Sequence, residues 1–138
     1  MIIAKHTLLA SFYLYNDEYF NGVLPCPNLK IRHSYRTLGY FSCEYNECGK
    51  MFNQTIEMSD NYDYTENQLM DIFVHEMIHY YLAYMGIDTR CTHGKEFKKM
   101  ANDFNIRYGM NITPTIDITP YTLKKGKSNF MFKLCTFF

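Results

Sequence analysis

The chain has no charge excess of either sign: fourteen lysine and arginine residues balance fourteen aspartate and glutamate residues, and the sequence pI is near 6.9. A global basic field that would draw nucleic acid is therefore excluded, and any such contact must be local or delegated. No apolar run is long enough to cross a bilayer. The opening residues, Met1 to Ala10, hold only a short apolar stretch broken by charge, with no small-residue cleavage site. The expectation is a cytoplasmic protein. Cysteines are few and odd in number (Cys26, Cys43, Cys48, Cys91 and Cys135), so reduced thiols are expected rather than a disulfide framework. The pair Cys43 and Cys48 lacks a second close pair to complete four ligands, which speaks against structural zinc there.

Apolar residues are not in short supply. At 47% hydrophobic and 17% aromatic content, 138 residues suffice for one domain with a real core. Within it stands His75-Glu76-Met77-Ile78-His79, the pattern H-E-x-x-H. On an α-helix, positions i and i+4 lie about 40° apart around the axis and about 6 Å apart along it, so two imidazoles can converge on one ion. Glu76 then sits on the flank of the pair, where its carboxylate reaches a metal-bound water without ligating the metal. The surrounding pattern independently predicts a helix. Val74, Met77, Ile78, Tyr81 and Met85 repeat at helical spacing. Thr65 with Gln68 resembles a capping box, and Gly86 follows the last periodic residue.

A catalytic zinc site needs three protein ligands and one open position. Spacing alone leaves the third open. Downstream, the candidate is His93, in Cys91-Thr92-His93-Gly94-Lys95-Glu96-Phe97. A loop over Ile87 to Arg90 can turn the chain back so that His93, at the mouth of a further helix, faces the first pair. Gly94 would permit a close backbone approach or a sharp turn.

The motif His75 to His79, followed by His93-Gly94 and Phe97 and preceded far upstream by Asn16-Asp17-Glu18-Tyr19-Phe20-Asn21-Gly22-Val23-Leu24-Pro25, resembles the SprT-like zinc metallopeptidase domain. That family includes the Spartan DNA–protein crosslink proteases. The resemblance runs from about Leu8 to about Tyr108. It implies one zinc ion held by His75, His79 and His93, with Glu76 as the catalytic glutamate. The implied activity is peptide-bond hydrolysis by a zinc-bound water that Glu76 activates. Substrates would be proteins or peptides, and DNA or DNA–protein complexes enter as partners through the Spartan members. The rival is a non-proteolytic zinc-binding scaffold or regulatory protein in DNA- or transcription-related complexes. A base beside intact ligands favours the enzyme. The donor for a developing oxyanion remains open among thirteen tyrosines.

The expected fold class is α+β and zincin-like, a small antiparallel or mixed sheet of about three strands on about three helices, with the motif on the central helix. Residues 1–110 are read as the SprT-like domain. Residues 111–138 are read as an extended C-terminal segment, either the start of a zinc ribbon with Cys135 as its first cysteine or further strands. Leu8, Leu9, Phe12, Tyr15, Tyr19 and Phe20 predict a helix over 7–20 that stops at Asn21-Gly22. Strands are expected at 29–35, 38–45 and 51–58, with a turn at 46–49, as a hairpin or meander. Gln54 to Met58 is the expected sheet edge beside the cleft, along which an extended substrate would add. Residues 59–64 read as a polar loop and His33 as a surface histidine. A third helix is expected from His93 to about Tyr108, with Gly109 as terminator and Lys95, Lys98 and Lys99 on a solvated face. A basic turn at 124–127 and a strand at 130–138 complete the reading.

Overall fold

A computed structural model describes residues 3–115 and 120–124. The elements are α1 (Lys5–Tyr19), β1 (Asn28–Arg32), β2 (Gly39–Tyr45), β3 (Met51–Ser59), β4 (Tyr62–Asp63), α2 (Glu66–Tyr84), α3 (Lys95–Tyr108) and β5 (Thr122–Leu123). The class is α+β, three helices with a small mixed sheet of three strands. The basic turn and strand expected after Lys124 lie outside the described residues.

Local chemistry accounts for where the helices begin and end. Thr65 caps α2 in a true capping box: its hydroxyl accepts from the Gln68 amide, and the Gln68 side chain accepts from the Thr65 amide. Both α1 and α3 end on left-handed residues, Asn21 with Gly22 and Gly109, where a Cβ-free or short polar residue is cheapest. Near each of these ends an asparagine side chain clamps the returning chain. Asn16 bonds both backbone groups of Leu24, at 2.9 and 3.2 Å, and Asn105 does the same for Ile112, at 2.9 and 2.8 Å.

The sheet order is β1-β3-β2, with β1 parallel and β2 antiparallel to β3. The expected β2–β3 hairpin is present, but the three strands are not a meander. Gln54 to Met58 lie on the middle strand, which corrects their assignment as the sheet edge. Alternation marks β3 as a strand equally well in the middle or at an edge. What decides is the non-local pairing with β1. The first strand also stops at Arg32 rather than Tyr35, because β3 runs out at Ser59, and the Ser59 hydroxyl donates to the Ser34 carbonyl instead.

The core lies between the inner face of the sheet and the helices. Leu29, Ile56 and Phe41 occupy one row of it, since Leu29 and Phe41 both pair with Ile56 in register. Leu8, Phe12 and Tyr15 bring α1 in, and Tyr15 meets Phe73 of α2 edge-on at 5.9 Å. Leu9, assigned to the same stripe, is exposed. On α2 every residue from Ile72 to Tyr80 is buried, so the helix has no solvent face over two turns. Met110 and Ile112 join this core. The expected polar loop at 59–64 is also buried at Ser59, Asn61, Tyr62 and Tyr64, and β4 pairs with β5 there. Two-residue strands are too short for periodicity to register.

Candidate metal centre

His75 and His79 sit one turn apart on α2, and His93 comes from the loop before α3. The Nε2 of His93 lies 3.1 Å from that of His79 and 3.2 Å from that of His75. Among the described residues these three side chains form the one group able to hold a metal ion.

The loop owes its shape to Asp88. Its carboxylate accepts from the Arg90 amide at 3.0 Å, the Thr92 amide at 3.0 Å and the Thr92 hydroxyl at 2.7 Å. Hydrogen bonds to the ionised form hold Asp88 below its ordinary value against the effect of partial burial. Within this loop the left-handed residue is Cys91, with φ of 54°. Gly94 has an ordinary negative φ and serves as the N-cap of α3, so its value lies in the short turn and not in unusual backbone.

Beneath the three imidazoles lies Phe97. Its ring centroid is 4.6 Å from that of His75, 4.7 Å from His79 and 5.0 Å from His93, and it is fully buried. Four residues after His93, it faces back over the loop end of α3 onto the cluster.

Burial makes these histidines neutral. His75 is held well below its usual range, first by desolvation and then by His79 and His93. His79 is pushed down to about 3 by burial and then by His93. His93 is lowered by burial and by Lys98. Neutral imidazoles offer the lone pairs that a metal needs. The Cys91 thiol is pushed up to about 12, chiefly by burial, and stands outside the cluster.

Glu76 is fully buried, and its Oε2 lies 4.0 Å from Nε2 of His75. Burial pushes its carboxyl well above the ordinary range, and neither carboxylate oxygen has a hydrogen-bond partner among the described residues. Its neighbour on β2 is Gly39. A Cβ there would come within 3.0 Å of Glu76 Cγ, Glu76 Oε2 and Ile72 Cγ2, so the start of β2 lies against the carboxylate only because residue 39 has no side chain.

The SprT-like family model matches residues 8–117. The chain belongs to the SprT-like family. No curated protein and no solved structure gives a significant match. In this SprT-like chain the two histidines of the motif and the downstream candidate His93 are brought together, with Glu76 beside them. Sequence reading missed Gly39, Asp88 and the part played by Phe97 beneath the rings. Only Phe97 left a trace, as the fourth residue after His93. Lys95, Lys98 and Lys99 are exposed, and His33 is a surface residue whose ring meets Asp60 at 2.6 Å. No helix of the described residues is long and apolar enough to cross a membrane.

Proposed function

We propose that this chain is a zinc-dependent peptidase with a zincin-like architecture, in which His75, His79 and His93 hold one zinc ion and Glu76 is the general base. The observation that carries the reading is the convergence of three neutral imidazole nitrogens with a buried carboxylate 4.0 Å from one of them. Ligand nitrogens on a tetrahedral zinc lie about 3.3 Å apart, given Zn–N distances of about 2.0–2.1 Å. The 3.1 and 3.2 Å separations fit such an ion. An all-imidazole donor set suits zinc better than calcium or magnesium, which take oxygen.

Zinc in such a site polarises a carbonyl and lowers the pKa of water. Everything else falls to the chain. Glu76 takes the proton of the attacking water and passes it to the leaving amine, so no acyl-enzyme forms. Its apolar surroundings raise its affinity for the proton it must take up in the step. The bare Gly39 backbone packs directly against the carboxylate and limits where it can lie.

The substrate strand is assigned to β2. Among the described residues β2 pairs with β3 alone. Because Ser59 N–H bonds the Leu38 carbonyl, ladder alternation points the backbone groups of Gly39 and Phe41 away from β3, on the side of Glu76. An extended peptide adding there would be held by backbone, with loose sequence preference. Peptide bound to the zinc-loaded Glu76→Gln protein is expected to slow amide hydrogen exchange across β2. Unchanged exchange along the whole strand would remove it from this role.

The primary test is metal content by mass spectrometry. Wild type is expected to carry one zinc per chain, removable by chelator, and His93→Ala to lose most of it. A wild-type protein purified without chelator that carries no zinc would overturn the proposal.

A further inference from the structure

His75 and His79 are fixed to one another by the helix that carries both, whereas His93 stands in a stretch that belongs to no helix or strand. Two side chains, those of Asp88 and Thr92, carry hydrogen bonds that span this stretch. Asp88 itself is moored to α2, since the Ile87 and Asp88 amides both donate to the Leu82 carbonyl, at 2.8 and 3.1 Å. Leu82 lies one turn beyond His79 on that helix. The Asp88 carboxylate then reaches forward: Oδ1 accepts from the Arg90 amide, and Oδ2 accepts from both the amide and the hydroxyl of Thr92. The Thr92 hydroxyl in turn accepts from the Gly94 amide at 3.3 Å. His93 is thus held through the residue on either side of it, and the chain of bonds starts on the helix of the other two histidines.

We infer that Asp88 and Thr92 are positioning residues for the metal centre: their hydrogen-bonded bracket presets His93 opposite His75 and His79 before any ion binds. The inference rests on the metal-binding reading of the three histidines.

Three features of the loop point to this role. The Nε2 of His93 stands 3.1 Å from that of His79 and 3.2 Å from that of His75, the spacing the proposed ion needs, although no helical turn sets it. Cys91 takes a left-handed φ of 54°, which a residue other than glycine keeps only where its surroundings over-determine it. Its place between Arg90 and Thr92, both tied to Asp88, supplies that determination. At Gly94 a Cβ would come within 3.1 Å of Thr92 Oγ1, so the missing side chain makes room for the hydroxyl at the turn. A ligand preset in this way spares metal binding the entropy of ordering the loop.

The chemistry of the pair tells the substitutions apart. Asp88 uses both carboxylate oxygens, so alanine removes every link it makes. Asparagine keeps one acceptor and sets an NH₂ donor against a donor. Thr92→Val retains the shape and the backbone amide but loses the hydroxyl that joins Asp88 to Gly94, and Thr92→Ser keeps it.

The test compares wild type with these variants and a control, Thr89→Ala, whose side chain is exposed in the same loop. Chelator-treated proteins are titrated with Co²⁺ and with Zn²⁺ in competition, and amide hydrogen exchange over residues 89–94 is followed in the metal-free state. Asp88→Ala is expected to weaken metal binding about 10–100-fold and to speed exchange across the loop. Asp88→Asn and Thr92→Val should fall between, and Thr92→Ser and Thr89→Ala should match wild type. Asp88→Ala is then repeated in a His93→Ala background, where the bracket has no ligand left to position and the substitution should change affinity less than about twofold. Near-ultraviolet circular dichroism checks that each variant keeps native packing. If Asp88→Ala does not fold, Thr92→Val carries the comparison. A folded Asp88→Ala protein with wild-type metal affinity, or an equal loss in the His93→Ala background, would overturn the inference. Should wild type itself bind neither ion, the metal-centre reading fails on its own, and exchange at His93 in Asp88→Ala still shows the bracket by rising or overturns it by staying unchanged.

Discussion

Glu76→Gln is expected to keep its zinc and lose hydrolysis. The substitution is isosteric, which matters because Glu76 is fully buried and the backbone at Gly39 leaves no room for a larger group. Glutamine keeps the packing of the side chain against Gly39 and Ile72, so its position survives. What disappears is the ability to take a proton. Removing a general base of this kind lowers kcat by about 10²–10⁴-fold, and a larger loss is expected where the same group also protonates the leaving amine. The measurement pairs zinc content with cleavage of an unstructured protein substrate. Undiminished cleavage at wild-type zinc content would strip Glu76 of its role. Zinc-bearing wild type with no cleavage of any peptide or protein would favour a scaffold that keeps the metal for structure.

Phe97→Ala should strike both stability and metal affinity. The ring is fully buried and contacts all three imidazoles, with centroids 4.6 to 5.0 Å away. Truncating a buried phenylalanine costs about 3–5 kcal/mol through lost burial and the cavity left behind. Here the cavity opens directly under the ligands, and their rings gain freedom that binding must remove again. Phe97→Leu retains part of the volume and should cost less on both measures. Urea unfolding of the chelator-treated protein gives the first effect and zinc competition the second. A Phe97→Ala protein within 1 kcal/mol of wild type that binds zinc equally well would show that the ring supports nothing.

The helices were legible because each was written twice, in apolar spacing and in its caps. For α2, the Thr65–Gln68 box and the stripe through Val74, Met77 and Ile78 agree, and the structure starts the helix at Glu66. The β2–β3 hairpin was legible for a similar reason, since its turn is local and rich in Asn46 and Gly49. Strand order was not. Placing β1 beside β3 depends on register across residues 28–32 and 55–59, a contact far apart in the chain that alternation does not encode. The pairing of β4 with β5 was hidden likewise, by two residues on each side.

The sequence by itself determined the chemistry on offer: two histidines one helical turn apart, a carboxylate between them, a third histidine downstream and a loop short enough to return it. Those are facts of residue type and helical period. Tertiary structure decided whether the parts meet and what surrounds them. It brought His93 to 3.1 Å from His79, slid Phe97 under the rings and laid the bare backbone of Gly39 on Glu76. The closeness of Gly39 to Glu76 could not be read from spacing, because it reaches the site from a strand far away in the chain. Packing is a property of the folded whole, whereas a motif is a property of a few consecutive residues.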